Sequence, residues 1–333
     1  MTSAGPPETL ILTRADVARL MNPEDWLAAV ETGFRAAAAG NADAPPPMAL
    51  EVSGGSFHAK GAAIQLGRRY VALKLNGNFP DNPRTTGLPT IQGAILLCDG
   101  DTGALLAVLD SIEVTLKRTA AATALAARYL ARPDSRSILI CGCGEQGAAH
   151  LSALRLVLPL NRAMAWDSEL DRAEAFADRF ASADCPVTAI RALPTGERAC
   201  DVVVTTTTAR QSFLGPMHVR PGTFVAAVGA DSPGKCELDP EVLRGACVVA
   251  DVLAQCAAIG DLRHALAAGT VCLGDVHAEL SELVSGAKPG RTCDAQVTIF
   301  DSTGIAIEDV AAAAAIFEKA SQEPGTRSVA FAS

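Results

Sequence analysis

The hydrophobic pattern of the chain changes character at Ser137. From there onward, short apolar runs alternate with helical segments, and the runs read SILICG, RAMAWD, CDVVVTTT, TFVAAVG and CVVADV. Short apolar strands separated by helices are typical of parallel sheets whose helices cross over from one strand to the next. The pattern therefore predicts an α/β protein with a Rossmann-type doubly wound parallel sheet in this part of the chain.

The pattern before Ser137 predicts a separate α+β region. Two helical segments, the second with Asn22 as its N-cap and Pro23 at its first position, precede the proline-rich break NADAPPPMALEV. The strand-like runs that follow are SFHAKGAAI, YVALKLNGNF, TIQGAILLCD and ALLAVLD. The turn DGDTG predicts that the last two form an antiparallel hairpin. SIEVTLKRTAAATALAARYLA then predicts a long helix, and AIEDVAAAAAIFEKASQ predicts a C-terminal one.

Composition narrows the class of protein. The 333 residues suit two domains, and the net charge of -9 gives no general attraction to nucleic acid or to anionic membranes. No apolar run reaches the roughly 20 residues that a membrane span needs, and the first residues lack the pattern of a signal peptide. The ten cysteines show no second pair at zinc-ligand spacing, which favours free thiols in a reducing compartment. We therefore expect a cytoplasmic protein without a metal site.

A glycine-rich loop lies between the first of the parallel strands and a helix. Gly142, Gly144 and Gly147 follow the run SILI and open the helix AAHLSALRLVL. In that context the first glycine permits a tight turn, the second lets a pyrophosphate approach the backbone, and the third lets helix and strand pack. Asp167 ends the next strand, where a carboxylate accepts hydrogen bonds from the ribose hydroxyls. The loop predicts NAD(H) as the cofactor, with NADP(H) as an alternative because Arg172 lies nearby in the sequence.

Isolated charges in apolar surroundings are candidates for substrate binding. Lys74 interrupts a strand, and Lys117 and Arg118 begin the alanine-rich face of the long helix. A lysine and an arginine that reach one cleft would bind a carboxylate, the arginine in bidentate geometry. Asp231 follows a strand that ends at Gly229, so it is either a surface turn residue or a general acid/base beside the cofactor.

Five segments together resemble the ornithine cyclodeaminase/mu-crystallin family over nearly the whole chain: LKLNGNFPDN, AVLDSIEVTLKRTAAATALAARYLA, ICGCGEQGAAHL, VGADSPGKCELD and FDSTGIAIEDVAA. The family comprises NAD(P)-dependent enzymes that act on amino acids and their imines. The resemblance implies a homodimer in which residues 1–132, completed by 308–333, form the substrate-binding and dimerisation domain. Residues 133–307 would then form the dinucleotide-binding domain.

The resemblance also implies roles for single residues. Lys74 and Arg118 would bind the substrate carboxylate, and Asp231 would exchange a proton with the amine or imine nitrogen. Thr90 would face the site, and Ser302 would lie near both the substrate and the nicotinamide. The residues expected to bind the cofactor are Gly142, Gly144, Glu145, Gln146, Gly147, Asp167, Thr206, Thr207, Gly229, Ser302, Thr303 and Gly304.

Two departures from the family pattern bear on the substrate. Many members carry an arginine after the prolines of the early break, but APPPMALEV has none. SFHAKGA puts Ser56 near the glutamate that ornithine cyclodeaminases carry and His58 in place of a methionine. Loss of the glutamate disfavours a free diamino acid, whose distal ammonium needs a counter-charge. His58 is either a proton donor or carboxylate ligand, or a structural histidine, and Lys60 can stand in for the absent arginine.

These features predict the NAD(P)H-dependent reduction of a cyclic ketimine acid, 1-pyrroline-2-carboxylate or 1-piperideine-2-carboxylate, to L-proline or L-pipecolate. The alternatives are an ornithine cyclodeaminase that uses NAD catalytically, an amino-acid dehydrogenase similar to alanine dehydrogenase, and a small-ligand binding protein similar to mu-crystallin. Because a purely structural role requires none of Lys74, Arg118 and Asp231, their presence favours an enzyme.

Overall fold

The computed structural model describes residues 8–331, which divide into two compact units. Unit 1 comprises residues 8–119 and 305–331, and unit 2 comprises residues 120–304. Both boundaries lie closer to the N-terminus than the positions 132 and 307 expected from the sequence. The first falls inside an uninterrupted helix, where the hydrophobic pattern has no break to mark it.

Strands and helices follow one another along residues 8–331. The strands are β1 Thr9–Leu12, β2 Ala42–Asp43, β3 Met48–Val52, β4 Gly55–Leu66, β5 Arg68–Asn78, β6 Ile91–Asp99, β7 Leu105–Asp110, β8 Ser137–Cys141, β9 Arg162–Trp166, β10 Val187–Ala189, β11 Val202–Thr205, β12 Phe224–Ala227, β13 Cys247–Ala250, β14 Ala278–Glu279, β15 Thr298–Asp301 and β16 Ser328–Val329. The α-helices are α1 Arg14–Leu20, α2 Pro23–Ala38, α3 Asn82–Thr85, α4 Ser111–Leu130, α5 Glu145–Val157, α6 Leu170–Phe180, α7 Leu253–Ile259, α8 Asp261–Ala267, α9 Leu280–Val284 and α10 Ala306–Ala320. Short 3-10 segments lie at Gly196–Arg198, Pro216–His218, Pro240–Val242 and Leu273–Asp275.

Unit 1 is built on a mixed eight-stranded sheet. Its strands lie in the order β16-β1-β7-β6-β5-β4-β2, and β3 also pairs with β4. From β4 to β7 the strands form an antiparallel meander, and the β6–β7 pairing confirms the predicted hairpin. Phe34 of α2 is fully buried, as are Ile64, Ile95 and Leu97 of the sheet. The apolar core of this unit therefore lies between the sheet and the helices α2 and α10, which pack against it.

Local sequence accounts for how α2 begins and how closely it packs. The Asn22 side chain accepts a hydrogen bond from the backbone N–H of Asp25, and Pro23 occupies the first helical position, as predicted. A Cβ atom on Gly33 would lie 3.1 Å from the Cβ atom of Ala311 in α10. The two helices therefore approach each other closely because one of them carries no side chain at the contact.

One face of the unit 1 sheet is apolar and open to solvent. The residues that form it are Met48, Leu50 and Val52 of β3, Leu73 and Leu75 of β5, and Leu96 of β6. Their exposed fractions lie between 40% and 62%. We call this surface the apolar sheet face. An exposed apolar patch of this kind marks an interaction surface more often than a free one.

Unit 2 contains a parallel sheet with strand order β10-β9-β8-β11-β12-β15-β13-β14. The order changes direction between β8 and β11, which is the switch point of a doubly wound sheet, where the carboxyl ends of the strands border a ligand crevice. β8, β11, β12 and β15 are buried at every residue, as continuous apolar runs in a parallel sheet require. The predicted fold class is thereby confirmed.

Some short strands were not predicted from the sequence. They are β1, β2, β3, β10, β14, β15 and β16. β3 lies within the predicted proline-rich break, and each of its five residues is exposed. Backbone pairing of Met48–Val52 with β4 holds it in place. A strand that buries no side chain leaves no alternation in the sequence, so its pairing was invisible there.

Candidate active site

Lys74 lies on β5, where its ammonium group meets a carboxylate from α10. Nζ is 2.6 Å from Asp309 Oδ2, and it donates a hydrogen bond to Thr115 Oγ1 of α4 at 3.2 Å. Lys74 is 5% exposed and Asp309 is 2% exposed. Lys74 is therefore held by an ion pair to α10 and a hydrogen bond to α4.

Arg118 lies on α4 and contacts two carboxylates of α10. Its Nε donates to Asp309 Oδ1 at 3.0 Å, and its Nη1 donates to Glu308 Oε2 at 2.7 Å. Arg118 and Glu308 are buried as well. Asp309 therefore bridges Lys74 and Arg118, with one carboxylate oxygen directed to each. We call Lys74, Arg118, Glu308 and Asp309 the buried ion cluster.

Burial and charge act in opposite directions on this cluster. Burial has the largest effect on Lys74 and lowers its pKa to about 7, with Arg118 and Lys60 adding to the effect and Asp309 opposing it. Burial raises the pKa of Asp309, but Arg118 and Lys74 lower it by more, so the pKa of this carboxyl lies below its ordinary value. The charge on Lys74 therefore depends on Asp309 and changes close to neutral pH.

Lys60 and His58 lie on the same sheet face as Lys74. The register of β4 and β5 puts Lys60 directly opposite Lys74, and His58 lies two residue pairs further along, opposite Asn76. His58 Nε2 is 3.0 Å from Ser56 Oγ. The structure thus brings Lys60, Lys74 and Arg118 around Asp309, with His58 beside them on the next row of the sheet.

Thr90 lies in the loop between α3 and β6. Its carbonyl oxygen accepts a hydrogen bond from the backbone N–H of Phe79 at 2.8 Å, which joins the loop to the end of β5. This hydrogen bond joins backbone atoms, so it holds the loop in place without involving the Thr90 side chain.

The glycine loop of unit 2 follows β8. Gly142 has φ of +101°, in the left-handed region that favours glycine, and a Cβ atom there would lie 2.9 Å from the Thr206 carbonyl oxygen. A Cβ atom on Gly147 would collide with the carbonyl oxygen of Gly142, so only glycine lets α5 approach the strand. Gly144 differs, because no described atom lies within 4 Å of where its Cβ atom would be. This open backbone at the N-terminus of α5 fits the approach of a pyrophosphate.

Three further residues predicted to bind the cofactor lie around this loop. Asp167 ends the β9 run, and its Oδ2 accepts a hydrogen bond from the backbone N–H of Cys143 at 2.9 Å. The Oε1 atom of Gln146 is buried in the first turn of α5, and no donor among the described residues reaches it. Glu145 pairs with Arg179 at 3.3 Å on the surface. An acceptor without a donor beside an open helix N-terminus fits a site that a ligand completes.

Glu237 joins the carboxyl ends of two neighbouring strands in unit 2. Oε2 accepts hydrogen bonds from Thr205 Oγ1 at 2.6 Å and from Gly229 N–H at 2.8 Å. Oε1 accepts from the backbone N–H and the Oγ1 of Thr207 at 2.6 and 2.7 Å. Burial and Asp261 raise the pKa of Glu237 to about 7, against the effect of these donors. Glu237 thus holds Thr207 and Gly229, both predicted cofactor residues, in one network.

Asp251 holds the segment FDSTG through hydrogen bonds, as Glu237 holds Thr207 and Gly229. Its Oδ2 accepts hydrogen bonds from the backbone N–H groups of Thr303 and Gly304, each at 2.7 Å, and from Ser302 Oγ at 3.2 Å. Gln255 Nε2 donates to Thr303 Oγ1 at 2.7 Å. Thr206, the remaining predicted residue, directs its Oγ1 to the Gly142 carbonyl oxygen at 3.2 Å. Two buried carboxylates, Glu237 and Asp251, therefore hold five of the predicted residues in unit 2: Thr207, Gly229, Ser302, Thr303 and Gly304.

Asp231 follows β12, as the sequence predicts, but it has a cationic partner. Its Oδ1 atom is 2.7 Å from Lys235 Nζ, and its side chain is 52% exposed. The partner stands four residues further on in the segment GADSPGK. An exposed carboxylate held by a lysine keeps its orientation while it stays open to a ligand.

Four carboxylates that organise these sites were not identified from the sequence: Glu237, Asp251, Glu308 and Asp309. Each is buried, and each lies within or directly beside an apolar stretch. Acidic residues are rarely buried unless they are paired. The signal that singled out Lys74 on its strand was therefore present for these acids too.

Comparison with known proteins shows the family of this chain. Residues 7–324 match the model of the ornithine cyclodeaminase/mu-crystallin family. The alanine dehydrogenase of Archaeoglobus fulgidus is 40% identical over 318 residues, which cover 94% of this chain and 95% of that protein. A solved archaeal alanine dehydrogenase dimer with bound NAD has a TM-score of 0.90 at 38% identity, over 97% of this chain and 99% of the other. The Δ1-pyrroline-2-carboxylate reductase of Thermococcus litoralis, solved with NADH and L-proline, has a TM-score of 0.89 at 30% identity. The match covers 94% of this chain and 98% of the reductase chain.

Neither a membrane-spanning helix nor a metal-binding group is found in the described part of the chain. No helix within residues 8–331 is long and apolar enough to cross a membrane. In the same range, no three His, Cys, Asp or Glu side chains are grouped so that they could hold a metal ion.

Proposed function

Because this chain belongs to the ornithine cyclodeaminase/mu-crystallin family, we propose that it reduces the C=N bond of an α-imino acid with NADH. The substrate class that we favour is a cyclic ketimine acid, 1-pyrroline-2-carboxylate or 1-piperideine-2-carboxylate, with L-proline or L-pipecolate as the product. The observation that carries the proposal is the pairing of Lys74 and Arg118 through one buried carboxylate. Two adjacent cations with a shared partner are suited to binding a single carboxylate group.

The proposed cofactor is NAD(H). When bound, NADH supplies the hydride that converts the imine carbon to an amine carbon. The open backbone at Gly144 and the N-terminus of α5 would bind the pyrophosphate. Asp167 would accept hydrogen bonds from the ribose hydroxyls. A carboxylate at that place repels a 2′-phosphate, which favours NADH over NADPH.

The residues of the chain would bind and protonate the substrate. Lys74 and Arg118 would hold its carboxylate, and Lys60 adds a third positive charge near them. Asp231 would keep the imine nitrogen protonated, with His58 as a second proton donor. A protonated imine is the better electrophile, and holding it in position to receive the hydride lowers the barrier to reduction. The nitrogen keeps its proton and the C=N double bond becomes a single bond.

Alanine dehydrogenase activity is the second candidate. It is favoured by the 40% identity to the Archaeoglobus fulgidus enzyme over 94% of this chain. The imine would then be acyclic and would form from a 2-oxo acid and ammonia, while the carboxylate and nitrogen would be held in the same way. Cyclodeamination of ornithine is disfavoured, because the resemblance puts Ser56 near the glutamate that would supply a counter-charge for the distal ammonium.

The test compares substrates in one NADH absorbance assay. The wild-type protein is given NADH with 1-pyrroline-2-carboxylate, with 1-piperideine-2-carboxylate, or with pyruvate plus ammonium. A parallel reaction measures ammonia release from L-ornithine with NAD⁺. NADH loss with a cyclic imine and none with pyruvate supports the proposal. The reverse result replaces it with an alanine dehydrogenase, and ammonia release without net change of cofactor replaces it with a cyclodeaminase.

The substitution Gly144→Val tests the cofactor site. Valine would fill the open space at the N-terminus of α5, so we expect the Kd for NADH to rise about 100-fold, which corresponds to losing two charge-assisted hydrogen bonds. The melting temperature should change little, because no described atom lies within 4 Å of where a Cβ atom would be. Gly215→Val is the matched control, since Gly215 is also an extended N-cap of unit 2, outside the loop. Unchanged NADH binding in the Gly144 variant would exclude the pyrophosphate from this position.

The proposed enzyme is a homodimer that associates through the apolar sheet face. The solved archaeal alanine dehydrogenase is described as a dimer, and this face exposes six large apolar side chains. Leu73→Glu should therefore shift the protein toward a monomer in sedimentation velocity, because it puts a charge in the centre of the patch. Leu156→Glu is the control, since Leu156 is 48% exposed on α5, in the other unit. A wild-type protein that sediments as a monomer would contradict this assembly.

A further inference from the structure

The acidic pair Glu308–Asp309 lies in the first turn of α10, close to the helix N-terminus. The helix dipole favours negative charge there, so both residues suit an ionised state. Adjacent helical residues point about 100° apart, and the guanidinium of Arg118 reaches both of them. One short stretch of helix thus supplies the negative charge for two cations that come from β5 and α4.

Asp309 is the member of the pair that joins the cations. Its Oδ2 is 2.6 Å from Lys74 Nζ, and its Oδ1 accepts from Arg118 Nε at 3.0 Å. The two oxygens belong to one rigid carboxylate. As long as each cation keeps its contact with Asp309, the distance between the ammonium and the guanidinium is therefore nearly constant. A surface lysine and arginine would have no such constraint.

Stability is a poor explanation for this arrangement. Removing charges from water costs several kcal/mol per ion, and a buried ion cluster can often be replaced by apolar residues without loss of stability. Lys74, Arg118, Glu308 and Asp309 are each at most 5% exposed, so this desolvation cost applies to all of them. The cluster does, however, keep two positive charges at a fixed separation inside the protein.

We propose that Asp309 is a positioning residue for the substrate carboxylate: it holds the Lys74 ammonium and the Arg118 guanidinium at a fixed separation and keeps the lysine charged, while Glu308 fixes the second edge of the guanidinium. This inference rests on the proposed function, because it takes those two cations as the carboxylate ligands. Asp309 itself does not contact the substrate. Both of its oxygens face the cations, and a second carboxylate would be repelled by it.

The charged and polar groups that face Lys74 come from three elements. β4 contributes Lys60 directly opposite, with His58 on the next row, and α4 contributes Arg118 and Thr115. α10 contributes Asp309 and, through Arg118, Glu308. On its other side, β6 presents the apolar Ile95. Of the ionisable groups that affect Lys74, the two cations oppose its charge and Asp309 supports it.

This balance sets the expected pH dependence of the wild type. The pKa of Lys74 is lowered to about 7, so the lysine is charged below that pH and loses its proton above it. The kcat/KM for a carboxylate substrate should therefore fall as the pH rises through about 7. We call this fall the alkaline limb of the profile. A bound carboxylate stabilises the ammonium, so the alkaline limb of kcat should lie at higher pH than that of kcat/KM.

The experiment measures kcat and KM from about pH 5.5 to about 9, a range that covers the titration of a group with a pKa of about 7. The variants are Asp309→Asn, Asp309→Glu and, as a control on the same helix, Glu318→Gln. In Asp309→Asn the alkaline limb of kcat/KM should move down by roughly one pH unit or more, because the carboxylate that supports the charge of Lys74 is lost while Arg118 and Lys60 still oppose it. KM at pH 8 should rise about 10- to 100-fold and recover toward pH 6, with a smaller change in kcat.

The conservative variant separates charge from packing. Asp309→Glu retains the carboxylate, so its limb should stay at the wild-type pH although KM increases. Glu318→Gln should match the wild type at every pH. A purely structural role for Asp309 predicts the same loss at all pH values, and that result would overturn the inference, as would an unchanged profile.

Two further controls keep the result unambiguous. If Asp309→Asn does not fold by circular dichroism, Glu308→Gln decides instead: it frees one edge of Arg118, so KM should rise, and an unchanged KM overturns the inference. If the wild type reduces no imino acid at all, the proposed function fails, and this inference falls with it. A fully active wild type with indistinguishable variants would overturn the inference alone.

Discussion

Replacing Arg118 with methionine is expected to lower the free energy of unfolding by roughly 3–5 kcal/mol, because Glu308 and Asp309 would lose the cation that both contact in a buried site. Methionine fills a similar length without charge, so the loss reports the ion cluster and not a cavity. The same change should lower kcat/KM about 1,000-fold or more, since a buried ligand of the substrate carboxylate disappears. Urea unfolding and the NADH assay measure the two effects separately.

The neighbouring residue provides the matched control. Lys117 precedes Arg118 on α4, but its side chain is 41% exposed and lies 3.7 Å from Glu113. Lys117→Met should change stability by about 0.5 kcal/mol or less, because Lys117 is exposed and Glu113 keeps its ion pair with Arg14 at 3.1 Å, and it should leave turnover intact. If both variants behaved alike, burial of the ion cluster would have no special effect and the assignment of Arg118 to the substrate would be wrong.

Replacing Asp231 with asparagine should lower kcat by roughly 10²- to 10⁴-fold while the protein stays fully folded. Asparagine keeps the size of the side chain but can neither hold nor release the proton that the imine nitrogen needs. Stability should not change, because the carboxylate is 52% exposed and an ion pair at such a position, here with Lys235, contributes little. Single-turnover NADH oxidation measures the step directly, and the melting temperature checks the fold.

Lys235→Met distinguishes the proton-exchange role from the ion pair. This variant removes the partner at 2.7 Å but leaves the carboxylate, so most of the turnover should remain. A fully active Asp231→Asn enzyme would make Asp231 a surface turn residue, which is the alternative that the sequence left open.

Much of unit 2 was predictable because its elements are specified locally. SILIC has one polar position and FVAA has none, so both runs require burial on both faces and hence a parallel sheet covered by helices. The glycines of the loop are equally constrained, since a side chain at Gly142 or Gly147 would meet backbone atoms. The edge strand β3 was not predictable, because it is held by backbone hydrogen bonds that every residue type can make.

The sequence alone predicted the fold class, the glycine loop and the cations Lys74 and Arg118 on apolar elements, but not the acids that pair with them. Which charges meet follows from the packing of the chain. Arg118 and Asp309 are 191 residues apart, and Lys74 reaches the same carboxylate from a different strand. Local patterns indicate whether a side chain is buried, but the partner of a buried charge depends on strand register and on which helix covers the sheet. Those are properties of the packed chain, because the electrostatic energy of a pair depends on its distance in space and not on its separation along the sequence.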